Sequence, residues 1–334
     1  VRLTRRRRGA AASALVALVP ALVAGCSSAP GSPEPRGCGP VAYAEVAGRA
    51  PGYLDPPLAA TPNDHALCAG TWLPPTRAEA AAGAAFVPQG LAVRGRTAWV
   101  GGHDDGPVGG KFCRVLRLDL RTGRREADSG LVEGPTDGGA GARCRHGGGL
   151  ALDEHGLWLA ERVRLWLLDP GTLEVRRSWA LEAPVWGSVL ILDGRGRLGV
   201  VGYRERRPAA VHWYPTATLV EPGLTSVTAE LASRVSRAPH SAQGAFWADL
   251  DGAGRARAWF VQSTTRCGVL RTGARRLGFL PGAEGTSYHR GRLWVVSEAT
   301  ARPYFSLGGR PVVPELARYD VTRLREWAEA DCEP

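Results

Sequence analysis

Methionine is absent from the 334 residues, and lysine occurs once, at Lys111, among 42 basic side chains. An alphabet this poor in Lys and this rich in Arg, Ala, Gly and Pro is the mark of a GC-rich genome. The arginine excess therefore says less about partners than it would elsewhere, and Val1 is expected to be an initiator read from a GTG codon. No Lys/Arg stripe is interleaved with aromatic residues, so the footprint of a nucleic-acid binder is missing and no nucleic-acid partner is expected. Neither a P-loop nor a dinucleotide fingerprint occurs. His146 is followed by Gly147, Gly148 and Gly149 in the manner of an oxyanion loop, but no GxSxG elbow accompanies it. No CxxC and no Cys–His pair at ligand spacing exists, which leaves structural zinc without ligands. Asp249-Leu250-Asp251-Gly252 lacks the later acid of a calcium loop and fits a turn better.

What is present begins with an export pattern. Arg2 and Arg5 to Arg8 form a charged start, and Ala10 to Ala24 is an apolar run. That run falls short of the ~20 residues of a membrane-spanning helix and suits a signal peptide over residues 1–25. Val23-Ala24-Gly25-Cys26 resembles the lipobox of bacterial lipoproteins, which implies a lipidated Cys26 at the mature N-terminus. The expected location is the outer face of the cytoplasmic membrane, with the lipid as the membrane contact. Removing those five arginines leaves +5 of the formal +10 charge, which is ordinary for such a length. Residues 26–37 are rich in Ser, Pro and Gly and read as a tether. Residues 38–87 are irregular, with CAGTW at 68–72 as a candidate strand and RAEAAAGAA at 77–85 as a short helix or linker.

Six further cysteines remain, an even number that in an exported chain reads as three disulfides. Six cysteines admit 15 connectivities. The favoured set is Cys38–Cys68, Cys113–Cys144 and Cys267–Cys332, two local loops and one clasp on the C-terminus.

From Pro88 onward the chain repeats. Gly90, Gly149, Gly187, Gly244 and Gly285 each open a short apolar alternation that ends in a turn. A second strand follows: TAWVGG, GLWLAE, RLGVVGY, RAWFVQS and RLWVVSE. Four copies place Trp alike, at Trp99, Trp158, Trp259 and Trp294. Asp119, Asp169 and Asp320 close the third strands, where a carboxylate can lock a turn by accepting from the backbone two residues on. Fourth strands are predicted at 124–131, 173–181 and 275–279. Four strands per unit at this spacing is the repeat signature of a β-propeller. The rhythm over 88–322 and the third-strand pattern ending in Asp-x-x-Thr-Gly resemble the NHL, gluconolactonase-like and quinoprotein-like propeller groups.

The expectation is thus an all-β, disulfide-bonded propeller over 88–334 with five visible repeats and a short C-terminal helix around Leu324, Trp327 and Ala328. The last repeat lacks a fourth strand. A strand near 69–73 would close the ring, the alternative being a sixth blade within 40–87. In such a fold the starts of the first strands and the ends of the second converge on one mouth. Candidate ligand-binding residues there are Gln89, His103, Asp104, Asp105, His146, Trp186, Gln243, Glu284 and Glu298, with Glu161, Arg162, Tyr203, Arg204, Thr264, Arg266 and Arg302 nearby. The expected role is a cell-envelope binding module for a small molecule, glycan or envelope protein. The alternative, implied by the gluconolactonase-like resemblance, is a calcium-assisted hydrolase or lactonase holding the ion by Glu284 or Glu298 and an Asp of the His103 loop. No catalytic residue and no cofactor other than calcium is assigned.

Overall fold

The computed structural model describes residues 37–334, apart from 77–78, 80–84, 106–110, 136–140 and 307–310. The expected signal peptide, Cys26 and most of the expected tether lie outside the described residues, as do most of the 77–85 segment and Gly106, Gly109 and Gly110. Five antiparallel sheets follow one another in a ring. Blade I comprises Ala85–Arg94, Thr97–Asp105, Phe112–Asp119 and Arg124–Asp128; blade II comprises Gly149–Leu152, Leu157–Glu161, Arg164–Leu168 and Val175–Leu181. Blade III comprises Val189–Leu192, Arg197–Val201, Ala209–Pro215 and Arg234–Ala238; blade IV comprises Ala242–Ala248, Arg257–Thr264, Cys267–Thr272 and Arg275–Phe279.

Blade V takes three strands from the end of the chain, Ala283–His289, Arg292–Ser297 and Leu316–Asp320, and its fourth from the beginning, Leu67–Thr71. Leu67 pairs with Tyr319 and Thr71 with Leu316. This is the closing strand expected near 69–73, displaced by two residues, so the ring has five blades and residues 40–87 do not build a sixth. Closure satisfies the edge that an open sheet would leave unpaired. The closing strand and all three disulfides fall within Gly37–Pro334, which forms a compact unit of its own. The disulfides join Cys38 to Cys68, Cys113 to Cys144 and Cys267 to Cys332, the favoured pairs.

The core lies between neighbouring blades. Trp158 and Trp179 are fully buried and stack at 5.5 Å, and Trp259 lies 6.5 Å from Phe246 with nearly parallel rings. Buried rings of this size cost ~3–5 kcal/mol to truncate, which explains the recurrent Trp. Asp119 Oδ1 accepts from the backbone N–H of Arg121 and Thr122, and Asp169 Oδ1 from Gly171 and Thr172. The glycines that open the first strands are required by crowding at the axis. A Cβ on Gly244 would meet the Glu284 carbonyl oxygen at 2.1 Å, and one on Gly285 would meet the Leu91 nitrogen at 2.4 Å.

Two local features refine the ring. Blade III reaches its fourth strand only after an insertion at 216–233, part of which, Ser226–Val227, adds in parallel to the outer edge of blade II. The C-terminal helix shrinks to a 3-10 turn, Leu324–Glu326, and a short helix, Arg302–Phe305, stands earlier. Trp327 packs on Phe279 and Tyr319, and the tail beyond it pairs with the edge of blade IV through a bridge between Leu277 and Glu329. Leu324 and Trp327 are anchored by packing on two blades, which fixes an extended tail where the periodicity alone suggests a helix. Among the described residues no helix is long and apolar enough to cross a membrane.

Candidate functional site at the channel mouth

A cavity of about 1010 Å³ opens on the face where the first strands begin. All five blades or the loops between them line it. Gln89 comes from blade I, His146 and Arg162 from blade II, Trp186, Tyr203 and the run 204–207 from blade III, Gln243 from blade IV, and Glu298 with Tyr304 from blade V. Gln89, His146, Trp186, Gln243 and Glu298 are therefore brought together as expected. Tyr304, Glu205, Arg206 and Arg207 join them and were missed by sequence reasoning. They lie deeper in the loops after second strands, where no repeat marks a position.

The polar residues at the strand starts reach the channel by a shared device. Ladder register breaks between Pro88 and Gly90, between Ala242 and Gly244, and between Ala283 and Thr286. The residues left unpaired are Gln89, Gln243 and Glu284 with Gly285. Each is the extra residue of a β-bulge, which lifts a side chain out of the sheet's alternation and re-aims it.

Their electrostatics follow from burial. Gln89 Nε2 donates to Glu298 Oε2 at 2.6 Å, and Tyr304 donates to the same carboxylate. Loss of water still pushes the Glu298 carboxyl up to about 7, against the pull of the Gln89 and Tyr304 hydrogen bonds and of Lys111. Glu284 sits behind it, 2 % exposed, with Oε1 lacking a hydrogen-bond partner among the described residues. Burial, aided by the nearby Glu298 charge, raises its pKa well above its ordinary value and favours the protonated form. His103 is buried and lies 4.6 Å from His146, ring to ring. Burial first, then His146 and Lys111, lower it to about 3, so it is neutral at physiological pH. His146, held at a φ of 62°, is lowered in the same direction by burial and Lys111.

Several expected ligands lie elsewhere. Asp104 is engaged by Arg114, whose Nε and second terminal nitrogen approach its carboxylate at 2.7–3.1 Å while the first reaches Asp128 at 2.5 Å. This ion triad is buried and pins the third strand of blade I to its neighbours. Asp104 is thus held by Arg114 on both carboxylate oxygens and does not line the cavity. Asp105 ends its strand at the border of the described residues and does not line the cavity, although its charge helps raise the Tyr304 hydroxyl. His103 and Glu284 lie beneath the lining, not in it. Glu161 turns inward to accept the Arg145 N–H at 2.7 Å. Thr264, Arg266 and Arg302 do not line the cavity either, and Arg302 rests on Tyr53 at 5.0 Å.

The rim is basic. Arg162, Arg204, Arg206 and Arg207 line the cavity and make no ion pair among the described residues. Arg162 lies over the half-buried Trp186 ring at 5.2 Å. The loop that carries the other three is held from below, Ser241 N donating to the Arg204 carbonyl at 2.6 Å and Ser241 Oγ to the Glu205 carbonyl at 3.0 Å. Four guanidinium groups thus face two acids, Glu205 and Glu298, of which the second is only half ionised near neutrality.

The chain folds as a five-bladed β-propeller. No family model matches the sequence, and no curated protein matches it. Among solved structures, a chain of a nidogen/laminin complex superposes with a TM-score of 0.36 at 14 % identity over 64 % of this chain and 73 % of that one. The PQQ-bound aldose sugar dehydrogenase of Streptomyces coelicolor superposes with a TM-score of 0.36 at 12 % identity over 76 % and 97 % of the two chains. BamB from Moraxella catarrhalis gives 0.30 at 14 % identity over 70 % of this chain and 57 % of BamB. All three scores fall below 0.5, and the fold assignment rests on the chain's own strand pairing.

Proposed function

We propose that the protein is an exported, lipid-anchored binding module whose propeller takes an anionic small molecule in the channel-mouth cavity. The observation that carries this is the cavity at the channel mouth, lined from all five blades, with four arginines at its rim that make no ion pair among the described residues and hydrogen-bonding groups at its floor. A concave, largely preformed pocket with a few convergent polar groups is the usual form of a small-molecule site. Arginine recognises carboxylate or phosphate through two parallel hydrogen bonds, and none of these four is occupied by a protein carboxylate among the described residues. Burial favours the neutral form of Glu284 and lifts Glu298 to about 7, which lessens the repulsion an anion would meet there.

A calcium-assisted hydrolase would need several convergent oxygen donors. Among the described residues no group of three or more His, Cys, Asp or Glu is placed to hold a metal, and Asp104 is already bound to Arg114. Binding of an anion is the better-supported chemistry.

Thermal melting with acetate, succinate and citrate at constant ionic strength tests the cavity. A midpoint that rises with anion charge and concentration, as mass action requires, and that no longer responds in Arg162→Gln/Arg204→Gln, supports the proposal. An equal response in that variant overturns it. The anchor is tested separately. Cys26→Ser should abolish incorporation of labelled fatty acid and release the protein from membranes.

A further inference from the structure

A second cleft of about 1010 Å³ lies on the opposite face, between blades III and IV. It is formed by the turn Asp193–Arg197, the loop 254–257, Trp247 and the start of strand Arg234–Ala238. Five arginines line it against a single acid. That acid, Asp193, is spent: its Oδ2 takes Arg197 at 2.6 Å and its Oδ1 caps the turn. Arg257 is paired with Asp251 at 2.7 Å. Arg195, Arg234 and Arg255 are exposed and make no ion pair among the described residues. Arg234 lies over the Trp213 ring at 6.0 Å, and the half-buried Trp247, edge-on to Trp213 at 5.5 Å, forms the floor. Three cations without an ion-pair partner among the described residues, set around an aromatic floor, match a surface dense in anionic groups.

Topology supplies a second observation. The closing strand enters at Leu67, on the side of the ring where third strands turn into fourth strands, and Gly39 N donates to the Leu67 carbonyl. Arg195 and Arg255 sit in turns between first and second strands, and Arg234 follows a turn between third and fourth, all of that same side. The described chain therefore begins on the face that bears the arginines. Cys26 precedes Gly37 by 11 residues, which reach at most about 40 Å when fully extended.

We propose that this basic cleft docks on a bilayer surface carrying anionic phospholipid headgroups, with the channel-mouth cavity turned away from the membrane. Docking and ligand capture use separate residues on opposite faces, so each can fail alone. Basic residues near an anionic bilayer contribute additively and are screened by salt.

The test uses the chain from Ser27 to Pro334, which lacks the acyl chain and contains the whole closed ring. Co-sedimentation is measured with vesicles of phosphatidylcholine alone and of phosphatidylcholine mixed with phosphatidylglycerol. The expected result is binding to the mixed vesicles only, weakening with salt. Arg195→Gln, Arg234→Gln and Arg255→Gln should each weaken it roughly fivefold, and the triple variant about a hundredfold. Arg206→Gln/Arg207→Gln, on the cavity rim, removes charge without touching the cleft and should leave vesicle binding unchanged. Unaltered melting midpoints of the variants establish that folding is intact. Equal binding to pure phosphatidylcholine, no binding to either vesicle, or equal weakening by the rim variant overturns the proposal. So does capture of soluble dextran sulfate through the same arginines when mixed vesicles leave the protein in the supernatant. An anion response at the cavity that vanishes while vesicle binding persists overturns the proposed ligand and leaves docking standing.

Discussion

The two ends of the central channel are built by the same five strands and behave as opposites. At the mouth, Gln89 and Gln243 are bulge residues, the bulge residue Glu284 is buried beneath the lining, and Glu298 and Tyr304 come from the segment after a second strand. A few residues further along the same strands, Leu91, Leu150, Leu190, Phe246 and Tyr288 help line a smaller cavity of about 340 Å³. The ladder is regular at that lower end. The contrast teaches that chemistry in this fold sits where pairing is broken and stability where it is kept.

Four measurements would break or sharpen that contrast. The largest effect is expected at the lower end. Phe246, 5 % exposed and packed on Trp259 and Tyr288, should lose ~3–5 kcal/mol on Phe246→Ala. The melting midpoint should fall by roughly 10 °C, with the anion response of the surviving fold intact.

Next comes the acid that sequence places at the mouth and structure assigns to the scaffold. Asp104→Ala leaves Arg114 with one of its two buried carboxylates. A loss of about 3 kcal/mol in urea unfolding is expected, without change in anion affinity. An affinity loss at unchanged stability would return Asp104 to the site.

The third concerns Glu298. Its folded pKa of about 7 stands above its ordinary value of 4.5. The unfolded chain therefore gives up this proton first, and folding takes one up between the two values. Stability from this group is fully present below about pH 4.5 and is lost as pH rises through about 7, by ~3 kcal/mol in all. Glu298→Gln should flatten that part of the stability–pH curve, and an unflattened curve would place the carboxyl in contact with water. Anion affinity should also fall as pH rises through 7 in the wild type and less in the variant. Of the other groups facing this carboxyl, Tyr304 and His103 are shifted by burial well outside that range, while burial raises Glu284 and lowers His146 from their ordinary values.

The smallest effect on stability is expected at the rim. Arg204→Gln should change unfolding free energy by less than about 0.5 kcal/mol while weakening citrate binding about tenfold, a loss of ~1.4 kcal/mol. Titration calorimetry checks the second figure, and an unchanged citrate affinity would remove Arg204 from the site.

Much of the ring was legible in the chain because its signals are local. Asp119 and Asp169 announce turns three residues long, and Trp158 and Trp259 recur at one place in each blade. The open edge of the last repeat pointed to a strand from the other end of the chain, since an unpaired edge has to be covered. The fourth strand of blade III was not legible, because an 18-residue insertion at 216–233 carries it out of the rhythm. Tyr304 was not legible either. Its contact with Glu298 depends on how the loop after a second strand folds back, and the sequence between them repeats nothing.

Composition and periodicity by themselves determined an all-β ring and its punctuation, because those follow from alternation and turn chemistry over a few residues, and the even cysteine count pointed to three disulfides without fixing which pairs form. Only the tertiary structure decided which polar residues belong to the mouth. A bulge turns Gln89, Gln243 and Glu284 toward the axis, and Arg114 draws Asp104 away from it. Both are contests between a side chain and partners distant in space, and the free energy that settles them, desolvation against pairing, exists only once the blades have closed around them.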